Sequence, residues 1–218
     1  KNQSCLYIAM GGGAGVPKVA YSQEDRVRIR QELAAAALEL IAKNGIQRTT
    51  VEQIYKKAGI SRTFFYSFFP TKEDLIVEAL YLQQPRILAY VKRLMEDPAL
   101  SWREAVRQFL HACCYGEEYG IAILTIEEQQ HLFRHLSPES CRVFREKQQR
   151  LFGQILEGFG IRADKSRIDL FTNLSLMVMV VRRAIPDTLP FFVPEAADET
   201  AAFQIHVIVD ALERLKEQ

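Results

Sequence analysis

Residues 58–75 run Ala58-Gly59-Ile60-Ser61-Arg62-Thr63-Phe64-Phe65-Tyr66-Ser67-Phe68-Phe69-Pro70-Thr71-Lys72-Glu73-Asp74-Leu75. Gly59 stops one helical pattern, Ser61 is placed to cap a second running to about Phe68, Pro70 ends it, and Thr71 opens a third. Upstream, Thr50-Val51-Glu52-Gln53 has capping-box spacing, so a short helix runs from there to about Ala58. Two short helices joined by Ala58-Gly59-Ile60 have the geometry of a helix-turn-helix; the same pattern also suits a helical corner with solvated polar residues. In a helix-turn-helix, the second helix presents its first residues to base edges in the major groove. Here those are Ser61, Arg62 and Thr63. Arginine suits guanine O6/N7, and threonine bonds a base or a phosphate. The helix N-termini at Thr50 and Thr71 offer backbone N–H groups to phosphate, aided by Thr50 and Lys72.

Outward from this stretch the pattern stays helical. Ile29, Leu33, Ala37, Leu40 and Ile41 recur at three- and four-residue spacing, predicting a helix from Ser22 that stops at Asn44-Gly45. The helix opened by Thr71 runs through Leu75, Ala79 and Leu82 to a kink or break at Pro85. Further helices are predicted over 101–115, 118–134, 138–159, 164–184 and 197–216. No alternating strand pattern competes, so the expected class is all-α, with a head over 22–72 and a helical body over 73–218. Residues 1–21 are expected to be a flexible arm or an expression remnant. The Gly11-Gly12-Gly13 run there lacks the spacing of a phosphate loop.

The overall charge of +1, from 28 basic and 27 acidic side chains, conceals a split. Residues 18–72 hold ten basic groups against five acidic ones, leaving +5, and residues 73–218 carry −5. A basic head on an acidic body points to polyanion contact at one end. A hydrophobic content of 48% excludes general disorder. The densest apolar run, Leu174 to Val181, is too short to span a membrane. Cys5, Cys113, Cys114 and Cys141 form no CxxC pair, which fits a reducing, cytoplasmic setting. Signatures of hydrolases, zincins and nucleotide binders are missing, and no cofactor is expected.

Thr49-Thr50-Val51, Ala58-Gly59-Ile60-Ser61-Arg62 and Phe65-Tyr66-Ser67-Phe68-Phe69-Pro70-Thr71-Lys72-Glu73-Asp74-Leu75 resemble the N-terminal signature of TetR/AcrR-type transcriptional regulators. The resemblance covers roughly residues 26–80. It implies an N-terminal three-helix helix-turn-helix DNA-binding domain and a C-terminal helical ligand-binding and dimerisation domain. It further implies a homodimer on double-stranded operator DNA, most often a repressor released by a small-molecule effector. Carried over by position, Thr50, Tyr66 and Lys72 match phosphate contacts, while Arg62, Thr63 and Phe64 match base-facing positions. Ser61 and Ser67 complete the candidate DNA-binding set. Thr63, Phe64, Ser67 and Tyr55 depart from the residues frequent in the family. Phe64 either meets a thymine methyl or is buried, and Tyr66 either reaches phosphate or packs in the core.

In the body, residues 164–184 are apolar around most of the helix, which demands cover on more than one side. Phe171, Leu174, Val178 and Val181, with Phe203, Val207, Ile208 and Leu212 of the last helix, are the expected dimer interface; the alternative is a monomer in which this helix is simply central. Phe109, His111, Cys113, Tyr119, Phe133, Phe152 and Met177 are the candidate ligand-binding residues for an apolar or aromatic effector, with His111 and Glu118 as polar anchors. Effector binding is expected to move the helix after Thr71 and change the separation of the two heads. Glu127, His131 and His135 at i, i+4 and i+8 stack three possible metal ligands on one face, the basis of an alternative reading as a metal-dependent helical-bundle enzyme. The plainer reading is a polar surface stripe with Glu128, Gln129, Gln130 and Arg134. Cys113-Cys114 is either an oxidation sensor or ordinary packing. A helical dimer binding only protein partners is a third reading, which leaves the base-facing residues unexplained.

Overall fold

Seven hydroxyl residues set seven helix starts. Ser22, Thr50, Ser61, Thr71, Ser101, Thr125 and Ser137 each accept the backbone N–H three residues on. They open α1 (Gln23–Arg48), α2 (Val51–Lys57), α3 (Arg62–Phe65), α4 (Lys72–Leu82), α6 (Trp102–Cys114), α8 (Ile126–His135) and α9 (Pro138–Gly158). Each bond satisfies an N–H that the first helical turn leaves without a partner. At Thr50 the box is reciprocal, since Gln53 accepts from the Thr50 N–H at 2.8 Å. The remaining helices are α5 (Gln84–Glu96), α7 (Gly116–Tyr119), α10 (Lys165–Ala184) and α11 (Ala197–Lys216), the last preceded by a 3₁₀ turn at Pro194–Ala196. The computed structural model describes residues 21–119, 121–184 and 193–216, less the side chains of residues 117, 118, 183 and 184, and among these there is no strand. The expected arm over 1–21 lies outside the described residues except for Tyr21.

Three departures from the expected elements have local causes. Helix α1 does not stop at Gly45. The glycine takes φ 76° and ψ 169°, a conformation open almost only to glycine, and one more turn follows to Arg48. Helix α3 ends at Phe65 rather than Phe68, because Phe68 and Phe69 both donate back to the Phe65 carbonyl and tighten the chain into a turn. The helix expected over 118–134 is two helices with a non-helical segment at 121–125 between them. That segment is held by the Gln83 side-chain amide, which accepts from the Ala122 N–H at 2.9 Å and donates to its carbonyl at 3.1 Å.

The helices enclose two apolar cores. The first is built on α1 to α4, around Leu33, Ile46, Ile54, Phe65, Phe69, Leu75 and Ile76. It also takes in Ala122, Leu124, Leu132 and Phe144, so the body supplies part of the head's cover. The second core lies among α5, α6, α9, α10 and α11, around Val91, Val106, Phe109, Phe159 and Ile205. Trp102 on α6 donates its indole N–H to the Phe159 carbonyl at the end of α9, 2.8 Å away. No helix among the described residues is long and apolar enough to cross a membrane.

Candidate functional site

The turn between α2 and α3 is a Schellman closure. Gly59 donates to the Lys56 carbonyl at 3.1 Å and Ile60 to the Tyr55 carbonyl at 3.0 Å. The geometry requires a left-handed residue, supplied by Gly59 at φ 70°. This fixes the start of α3, where Ser61, Arg62 and Thr63 are all exposed. The Arg62 guanidinium makes no hydrogen bond and no ion pair within 4 Å among the described residues, acting only at longer range on Glu52, whereas Arg28 pairs with Asp25, Lys56 with Glu52 and Lys57 with Glu39. On the opposite face of α3, Phe65 is fully buried. Phe64 is half-buried, stacked on Tyr21 at 4.4 Å and edge-on to Phe68 at 4.9 Å. Tyr66 is exposed with its ring edge on Phe65, and the Ser67 hydroxyl donates to the Phe64 carbonyl at 2.7 Å.

Two arginines of α1 hold the turn after α3. Arg26 lies over the Phe68 ring and donates to the Ser67 carbonyl at 3.1 Å. Arg30 lies over the Phe69 ring, donates to the Phe68 carbonyl at 3.1 Å and pairs with Glu78. Their planar heads stack and donate together, which an ammonium could not do. In the sequence both stand only as positive charges; their spacing of four on α1 is the signal that sets them on one face. Lys72 is similarly engaged: its ammonium donates to the Ile46 carbonyl at 2.7 Å, and burial lowers its pKa.

A cavity of about 440 Å³ separates the two cores. Leu80, Leu124 and Phe144 from the first core and Ile87, Phe109, Phe152 and Met179 from the second form its apolar wall. Eight polar side chains also line it, among them Gln83, Arg145, Asp169 and Asn173, with Gln149 donating to Asp169 at 2.7 Å. Such a lining suits an apolar body with several polar anchors.

Residues 33–79 match the family model described as bacterial regulatory proteins, tetR family. They resemble a tetR-family domain. The chain is 32% identical over 66 residues to the fatty acid metabolism regulator protein of Bacillus subtilis (strain 168), covering 30% of this chain and 32% of that protein. It is 28% identical over 95 residues to the HTH-type transcriptional regulator AcrR of Shigella flexneri, covering 42% and 44%. The chain thus matches under half the length of these curated relatives. A TetR transcriptional regulator structure from Legionella pneumophila superposes over 88% of this chain and 98% of its own, with a TM-score of 0.54 at 20% identity, a likeness of fold.

Beyond the matched residues, the structure redistributes the expected sites. Phe109, Cys113, Phe133 and Phe152 line the cavity. His111 instead stacks on Tyr115 at 4.3 Å, Tyr119 lines a separate cleft with Arg86, Tyr90 and Arg93, and Met177 points outward. The Glu118 side chain lies outside the described residues. Of the expected dimer residues, Phe171, Val178, Ile208 and Leu212 are buried in the subunit's own core, because each helix turns one stripe inward. Phe203 and Val207 are exposed, joined on the outside by Leu170 and Met177. Glu127 turns away from the histidines toward Gln47. Glu128, expected on the surface, is buried and accepts the Ile46 and Thr125 N–H groups. Both thiols of Cys113-Cys114 are buried and shifted upward, Cys114 to about 11, so neither carries the thiolate an oxidation sensor needs.

Proposed function

We propose that the chain is a ligand-responsive DNA-binding transcriptional regulator of the cytoplasm, a repressor released from its operator by a small-molecule effector. The observation that carries this reading is the start of α3, where Arg62 and Thr63 are exposed and the Arg62 guanidinium makes no close ion pair among the described residues. Ser61, Arg62 and Thr63 face base edges, with Phe64 beside them. Thr50, Tyr66, Ser67 and the remaining donors of Lys72 bind phosphate. The head is residues 22–72 and the sensing body 73–218. Two chains pair through α10 and α11, placing two recognition helices about 34–36 Å apart on successive major grooves. The effector is apolar or aromatic and occupies the cavity between the cores, where the wall is mostly hydrocarbon.

A gel shift with the DNA upstream of the chain's own gene tests this. Binding should weaken steeply with salt, and Arg62→Ala should cost about 1–3 kcal/mol of specific affinity. Binding indifferent to both salt and Arg62 would overturn the docking. By linkage, operator DNA must weaken effector binding by the factor by which effector weakens operator binding.

A further inference from the structure

We propose that Glu73, His131 and His135 form a binding site for a divalent transition-metal ion of the zinc class, bridging the first turn of α4 to α8. Each of the three offers one ligand atom, and these atoms lie within 4.8 Å of one another. His131 Nε2 is 3.2 Å from Glu73 Oε1. His131 and His135 stand one turn apart on α8, with ring centroids 4.4 Å apart. His135 Nδ1 sits 2.8 Å from the His131 carbonyl oxygen, which can only accept, so this nitrogen carries the proton and Nε2 presents its lone pair. Ligating histidines are oriented in just this way, the non-ligating N–H held by a carbonyl or carboxylate. Two imidazoles and one carboxylate are a donor set for zinc and its divalent neighbours.

The carboxylate comes from a different element than the spacing on α8 alone suggests. Glu73 is brought over by α4, its side chain only 13% exposed, and His131 is its one hydrogen-bonding partner among the described residues. The neighbouring Lys72 ammonium donates to the Ile46 carbonyl and makes no close ion pair with Glu73. Three protein ligands leave a coordination position open to water. The ion would therefore join the helix after the reading head to the helix that carries Gln129 and Phe133 of the cavity wall.

The test is titration of the tag-free full chain with Zn²⁺ and Co²⁺ by calorimetry and equilibrium dialysis, without DNA, so that its outcome does not depend on the regulatory reading. One ion per chain is expected. Glu73→Gln and His135→Ala should each lose at least tenfold in affinity, and Glu127→Gln should bind as the parent does. Zinc should raise the melting temperature of the parent and leave that of His135→Ala unmoved, with helical circular dichroism showing that each variant folds. His131→Ala serves as a second exposed-site variant. No stoichiometric binding, undiminished binding by the variants, or a thiolate-to-cobalt charge-transfer band would each overturn the site.

Discussion

Glu128 is an acid that patterning assigns to a solvated stripe, and the fold buries it. Its two carboxylate oxygens close off the Thr125 N–H at the start of α8 and the Ile46 N–H just past the break in α1. No spacing rule reveals this, because the partner is 82 residues away and becomes available only where Gly45 breaks the helix. A methyl group on Gly45 would sit 3.0 Å from the same carboxylate. Glu128→Ala should cost about 1–3 kcal/mol by leaving a buried N–H without an acceptor, seen as a lower urea midpoint at unchanged slope. A parental midpoint would show the bond to be idle. The paired cysteines make a second prediction. With the Cys114 thiol raised from 9.0 to about 11, its thiolate is about a hundredfold scarcer at pH 8. Cys113 is shifted the same way. Alkylation of the folded protein at pH 8, mapped by peptide mass spectrometry, should spare both until denaturant is added; equal labelling before and after would refute their burial.

At the scale of elements, helix starts were legible and helix faces less so. A hydroxyl three residues before its N–H acts within one turn, and so Ser22, Thr50, Ser61 and Thr71 could be placed without knowing the fold. The break at 121–125 depends on Gln83, a residue of another element, and stayed hidden. Helix α10 is apolar on nearly all sides because it serves three surroundings. Phe171 and Val178 fill the core, Leu176, Met179 and Val180 line the cavity, and Leu170 and Met177 face outward. Composition cannot separate these. On α11 the division is sharper, with Ile205 and Ile208 inside and Phe203 68% exposed. Phe203→Glu should therefore halve the mass seen by sedimentation if this face pairs two chains, while barely moving the melting temperature of the subunit. An unchanged sedimentation coefficient would place the pairing surface elsewhere.

Across the whole molecule, the charge split that first set head against body needs restating. Much of the head's +5 is engaged internally, in the Arg26 and Arg30 clamps on the turn after α3 and in the Lys72 tie to Ile46. The exposed cations of the head that make no close ion pair among the described residues include Arg62 where α3 begins and Lys43 and Arg48 near the end of α1. The first core, meanwhile, passes the boundary at residue 72: Leu75, Ile76, Ala122, Leu124, Leu132 and Phe144 all belong to it. This has a practical bearing on engineering. Hybrid regulators are assembled by exchanging reading modules between sensors, and a cut after Lys72 would leave Ile46, Phe65 and Phe69 without the lid that Leu75, Leu132 and Phe144 provide. An isolated 22–72 fragment should accordingly melt without a cooperative transition in circular dichroism, and a sharp two-state melt would contradict the shared core. The exchangeable cassette is a three-dimensional one, in which α4, the 121–125 segment and the Glu128 face of α8 travel with the head they roof.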